Sequence, residues 1–94
     1  PSIDAIFFCN DDLAQGALLA AQRLKIKVPQ QLAIAGFNDL TGSDLVGPGL
    51  TTIRTPRAAI GEAAAKMLLA LMRDEDVAAS SVDVGYALMV RGST

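Results

Sequence analysis

The sequence has no histidine and a single cysteine, Cys9. Without imidazole there is neither a Cys–His pair nor a histidine metal site, and one thiol cannot close an internal disulfide. Most hydrolase chemistries are thereby excluded. No stretch approaches the ~18–20 unbroken apolar residues that a membrane-spanning helix needs, because charges or polar groups interrupt every candidate. Basic charge is scarce as well. Eight Lys and Arg stand against ten Asp and Glu, a net charge of −2 with a pI near 4.8, so the basic excess of a nucleic-acid-binding module is missing. The glycines of Gly36-Phe-Asn-Asp-Leu-Thr-Gly42 have the wrong spacing for a dinucleotide fingerprint, and no nucleophile–base pair or phosphate loop can be assembled.

What is present is apolar and short. Ninety-four residues make at most one domain, and 51% of them are hydrophobic, which together with eight glycines exceeds the ordinary apolar share of ~45–50% and excludes a disordered chain. The first residue is Pro rather than Met and a strand-like segment begins almost at once. The expectation is a piece of a longer chain whose cut edge accounts for part of the apolar excess.

Ile3 to Cys9 is too short for a helix and nearly continuous in apolar character, as in a parallel strand covered on both faces. Asn10-Asp11-Asp12 supplies capping oxygens and acidic charge for a helix that carries Leu13, Ala17, Ala20, Ala21 and Leu24 at helical spacing and ends near Arg23 or Leu24. A loop over 25–31 precedes a second buried strand, Leu32 to Phe37. From Asn38 to Pro48 the turn formers predict a loop with one helical turn at Ser43 to Val46. Leu50 to Arg54 is a short β-branched strand. Thr55-Pro56 predicts a helix start with Thr as cap and Pro at the first helical position. The helix that follows is expected to bury Ile60, Ala63, Ala64, Met67, Leu68 and Leu71 and to expose Arg57, Glu62, Lys66 and Arg73, with Glu62 and Lys66 in the favourable i, i+4 order. Val82 to Val90 alternates with period two, as in a half-exposed edge strand. The layout is α/β with a parallel open sheet, in which ligands bind beyond the carboxyl ends of the strands. Asn10-Asp11-Asp12 and Asn38-Asp39 then share one rim.

Asn10 and Asn38 each follow an apolar strand, where an amide offers one acceptor and two donors to a polyol; capping by Asn10 and turn formation by Asn38 explain the same spacing. Asp11-Asp12 suit a hard cation by charge, but consecutive residues at a helix start point in different directions. Arg57, in a first helical turn, opposes the macrodipole, a misfit that an anionic ligand or a carboxylate offsets and that a solvated arginine simply tolerates. Cys9 reads as a small core residue.

Asp4-Ala-Ile-Phe-Phe-Cys-Asn-Asp-Asp-Leu-Ala-Gln-Gly16, Val28-Pro29, Leu32-Ala-Ile-Ala-Gly-Phe-Asn-Asp39, Pro48-Gly-Leu-Thr-Thr-Ile53 and Pro56 to Gly61 together resemble the LacI/GalR family of bacterial transcriptional regulators over essentially the whole chain. The resemblance implies a periplasmic-binding-protein-like effector domain of two α/β lobes behind a helix-turn-helix headpiece. The chain resembles only the C-terminal part of the second lobe, which implies that the headpiece, the hinge helix, the first lobe and the first strand and helix of this lobe lie outside it. The family places sugar-contacting side chains where Asn10 and Asn38 stand. Many relatives carry Asp at the second position, so Asn38 removes a negative charge and makes an anionic ligand more tolerable. Arg57 and Ile60 match positions that the family can turn toward the effector, and Arg57 is suited to a bidentate pair with a carboxylate.

More narrowly, Gly36-Phe-Asn-Asp39, Thr55-Pro-Arg57 and Val84-Gly-Tyr-Ala-Leu88 resemble repressors of gluconate use, which implies a sugar or sugar-acid effector such as gluconate. The family also implies a cytoplasmic homodimer, no catalysis, no metal, no cofactor, and operator DNA bound through the absent headpiece. The dimer interface is expected at Leu18, Leu45 and Val46, with Leu19 widening the apolar arc; the same residues could instead cover the missing part of the lobe. The competing function is a periplasmic solute-binding protein of a sugar transporter, distinguished by a signal peptide instead of an upstream helix-turn-helix.

Overall fold

The computed structural model describes residues 2–77 and 81–94. In chain order the elements are β1 (Ala5–Phe7), α1 (Asp11–Arg23), β2 (Ala33–Ala35), β3 (Thr52–Arg54), α2 (Arg57–Met72) and β4 (Ala87–Met89). The expected succession of strand, helix, strand, strand, helix, strand is the one found. The chain divides into two compact units, one of Pro1–Arg54 with Ala87–Thr94 and the other of Thr55–Tyr86.

In the first unit β1 and β2 are parallel, with Ile6 opposite Ile34. The Ala33 amide donates to Asp4 and the Phe8 amide to Ala35, both at 2.8 Å. Ala35 bridges Thr51 and Asn38 bridges Arg54, again in parallel sense. The expected parallel character holds there, whereas β4 pairs with β3 antiparallel, because apolar alternation encodes a strand's faces and not its direction. β1 is not covered on both faces as expected: Phe7 is 63% exposed, and among the described residues β2 is its one named partner. Cys9 is exposed too, so the core role assigned to it is wrong.

The α1 helix begins where its polar residues can satisfy its open amides. Asn10 is extended (φ −155°, ψ 165°) and its side chain accepts from the Leu13 amide, as a capping oxygen should. At the other end the Leu24 amide donates to Ala20 and the Ile26 amide to Ala21, each at 2.9 Å, with Lys25 in the left-handed region at φ 59°. Of the expected face, Ala21 is buried and Ala17 packs against the core, whereas Leu13, Ala20 and Leu24 turn outward. Ala14, Leu18, Ile34 and Leu50 form the core, with Phe8, Ala17, Val28, Leu32 and Val46 against it, while Leu13 and Leu24 are 53% and 70% exposed. The cause is Asp11. It is wholly buried, and residues at helical spacing from it inherit its inward direction.

The loop after β2 contains the expected helical turn: the Leu45 and Val46 amides both donate to Gly42 at 3.0 Å. The last residues tie the unit together in a way no sequence signal foretells. The Ser93 hydroxyl is buried, donates to the Ile34 carbonyl and accepts from the Thr51 amide at 2.8 Å.

In the second unit α2 departs from expectation at its start and along its face. Pro56, not Thr55, holds the cap position, without a side-chain cap bond, and the Arg57 amide donates to the Thr55 carbonyl at 2.9 Å. Glu62 and Lys66 do pair, at 3.0 Å. The expected buried stripe is absent: no residue of α2 is buried. Ile60, Ala63, Ala64 and Met67 line a shallow groove with Val82 and Val84, whereas Leu68 and Leu71 are about 60% exposed. Residues 81–86 are irregular and the strand occupies only Ala87–Met89, with Gly85 at φ 79° ending the alternation that Val82, Val84, Tyr86 and Leu88 suggested.

Candidate ligand-binding rim

The two polar clusters converge as the strand order requires. The Asp11 amide donates to the Phe37 carbonyl at 3.1 Å, and the Asp11 carboxylate accepts from the Leu40 amide at 2.7 Å. Residues 10–12 and 37–40 therefore form one continuous edge at the carboxyl ends of β1 and β2. Asn10 spends its Oδ1 on the Leu13 amide at 2.9 Å, and its Nδ2 lies 3.9 Å from the Cys9 sulfur, a weak contact that leaves the amide donor able to turn to a ligand. Capping and ligand contact are thus compatible in this residue.

Asn38 stands in an unusual backbone. Its φ is 103° and that of Asp39 is 53°, a left-handed pair that side-chain-bearing residues rarely adopt. Each successive amide is tied down. Asn38 donates to the Ile53 carbonyl at 2.8 Å, Asp39 to the Thr52 hydroxyl at 3.3 Å and Leu40 to Asp11 at 2.7 Å. Asn38 thus shapes the turn, and its backbone lies on the rim.

Beside it, Asp39 is held by two arginines, Arg54 Nε at 2.7 Å and Arg91 at 2.9 Å. Burial pushes the Asp39 carboxyl up, but the hydrogen bonds and charges of Arg91 and then Arg54 outweigh it and hold the group below its ordinary value. Arg91 also donates to the Leu50 carbonyl at 2.8 Å. The Asp11 carboxylate accepts from the Leu40 amide, from the Ser43 hydroxyl at 2.6 Å and from the Thr52 hydroxyl at 2.6 Å. Among the described residues no cluster of three His, Cys, Asp or Glu is arranged for a metal.

Asp11, Asp39, Arg54 and Arg91 were not singled out as a network by the sequence. A glycine at position 36 was the available hint, since a β-carbon there would collide with the Asp11 carboxylate. Arg57 and Ile60 lie in the first turn of α2, in the second unit. Of the expected interface residues, Leu45 is 80% exposed and Val46 is half-buried against the core. Leu18 is 4% exposed and belongs to the core itself, so its place on a partner-facing surface is corrected; Leu19, 54% exposed, is the outward leucine.

A family model described as the periplasmic binding protein-like domain matches residues 1–94. The HTH-type transcriptional regulator GntR of Pseudomonas aeruginosa is 58% identical over 94 residues, covering all of this chain and 27% of that protein. Among solved structures, transcription regulator GntR from Chromobacterium violaceum aligns with a TM-score of 0.85 at 54% identity, over 96% of this chain and 33% of that one. A LacI family transcriptional regulator from Lactobacillus casei with bound sucrose aligns with a TM-score of 0.76 at 28% identity, over 97% and 33%. The resemblance carried by the motifs is borne out by these matches. The chain spans about a quarter of the length of the curated relatives it matches.

Proposed function

The chain belongs to the periplasmic binding protein-like domain family, and from that premise we propose that it is the C-terminal part of the second lobe in the effector-sensing domain of a LacI-type, DNA-binding transcriptional regulator. Such a lobe senses rather than catalyses: effector binding shifts the relative population of two lobe arrangements and thereby the DNA-binding heads. The observation that carries the reading is the joining of Asn10 and Asn38 on one rim through Asp11. Two amides there suit the hydroxyls of a sugar. DNA contact belongs to a headpiece outside this chain, and the regulator works in the cytoplasm as a homodimer. The reported relatives are transcriptional regulators, which favours this reading over a solute-binding protein of a transporter.

The proposed effector is a sugar acid such as gluconate, accepted because Asn38 brings no charge to the rim. For Arg57 and Ile60 the argument is the motif match, with Arg57 as the carboxylate's partner. Calorimetric titration of the intact regulator with gluconate, glucose and sucrose tests this. Gluconate binding that weakens by at least about tenfold in Arg57→Ala, the size of a lost charged hydrogen bond, is the expected result. Binding of neutral sugars alone keeps the sensor and removes the acid. No binding of any of the three removes the effector claim.

A further inference from the structure

We infer that Asp11 is a positioning residue for the effector contact at Asn38, fixing the backbone from which that amide is presented. The inference rests on the sensing role proposed above. Asp11 and Asp12 are neighbours at a helix start, yet Asp12 is exposed and Asp11 is completely buried. Favourable interaction with the helix dipole is open to an exposed first-turn carboxylate and does not require burial. A buried carboxylate persists only where its oxygens are satisfied, and these are satisfied by donors 29, 32 and 41 residues away: Leu40 N, Ser43 Oγ and Thr52 Oγ1. Thr52 relays the contact, because its hydroxyl also accepts from the Asp39 amide at 3.3 Å.

Asp11 thus holds, directly or through Thr52, two of the three consecutive amides that define the turn at Asn38. Asn38 and Asp39 both sit in left-handed conformations, and such conformations endure where the surroundings over-determine them. The space for the carboxylate is itself provided, since a β-carbon at Gly36 would overlap Asp11 Oδ1. A binding amide held to within a fraction of an ångström needs this kind of support from groups that never touch the ligand.

The test is a double-mutant cycle in the intact regulator, titrated with gluconate and with glucose and checked for folding by a cooperative melt. Asp11→Asn keeps the shape but turns an NH2 toward a donor; Thr52→Val removes the relay at nearly constant volume. Each is expected to weaken binding about tenfold, while Thr52→Ser, which retains the hydroxyl, binds like the unaltered protein. In an Asn38→Ala background neither Asp11→Asn nor Thr52→Val should cost anything further, because a residue acting through another is non-additive with it. Additive losses, or unchanged affinity in folded variants, overturn the positioning role and leave the sensing role standing. If the unaltered regulator binds only sucrose, the cycle is run with sucrose; if it binds none of gluconate, glucose and sucrose, the effector claim and the positioning role both fall. Should Asp11→Asn not fold, the Thr52 cycle decides alone.

Discussion

Asp39 carries one negative charge between two guanidiniums, and its two partners are not equivalent. The Arg54 side chain is 55% exposed and that of Arg91 is 17% exposed, so water screens the first pair and not the second. Arg54→Ala should cost less than about 1 kcal/mol of stability, as surface pairs do, and Arg91→Ala more, because it also strips the Leu50 carbonyl of its donor. Urea midpoints of the two variants check the order. The depressed Asp39 pKa fixes a pH dependence. Its folded value lies below the ordinary 3.8, so the stabilisation is complete above that pH and is lost as pH falls through the folded value. The difference in urea midpoint between the unaltered protein and Asp39→Asn should therefore be constant from about pH 7 to pH 5 and shrink below about pH 4. A difference that grows on acidification would contradict the assignment.

At the scale of elements, the core is small enough for single changes to read clearly. Ile34 is fully buried between α1 and the neighbouring strands, and Ile34→Ala should destabilise by about 2–5 kcal/mol, with Ile34→Val near 1. Gly36→Ala is predicted to be costly for the opposite reason. Its new carbon would meet Asp11 Oδ1 and lie 3.1 Å from both Ala14 and Leu50, an overpacking worth about 1–3 kcal/mol; thermal melts report both. The element order, the Asn10 cap, the turn at 42–46 and the Glu62–Lys66 pair were legible because each is a local signal, decided within four or five residues. What was not legible depended on contacts distant in sequence. The inward face of α1 is set by a carboxylate whose donors lie beyond residue 39, and Arg91 reaches Asp39 across 52 positions. The α2 stripe shows the same limit, since periodicity identifies a face able to be buried and says nothing of what covers it. Asn10 and Asn38 were legible as rim residues through the strand-end rule, while the support beneath Asn38 was not.

At the scale of the molecule, apolar surface is the property with consequences. Ile3, Phe7, Leu45, Leu68, Leu71 and Met72 are each more than half exposed, and Ile3, Ile6, Ile26, Gln31 and Leu32 line a groove of about 270 Å³. An open strand edge with such surface invites association, so the isolated 94-residue chain should scatter light as a species heavier than 9.8 kDa. For the homodimer proposed for the intact regulator the question is where two copies would meet, and the burial of Leu18 decides how to ask it. A charge placed at Leu18 would enter the core and unfold the lobe whether or not a partner lies nearby. Leu45, 80% exposed on the turn after β2, and Leu19 on α1 are free of that ambiguity. In Leu45→Glu the lobe keeps its core contacts while a charge sits where a partner's apolar surface would have to pack, at a cost expected to exceed about 2 kcal/mol on association. Sedimentation equilibrium should then show the dimer of the unaltered regulator weakened by tenfold or more, as about 1.4 kcal/mol per decade requires. A dimer of unchanged strength, with an unchanged melt, would move the interface away from this turn.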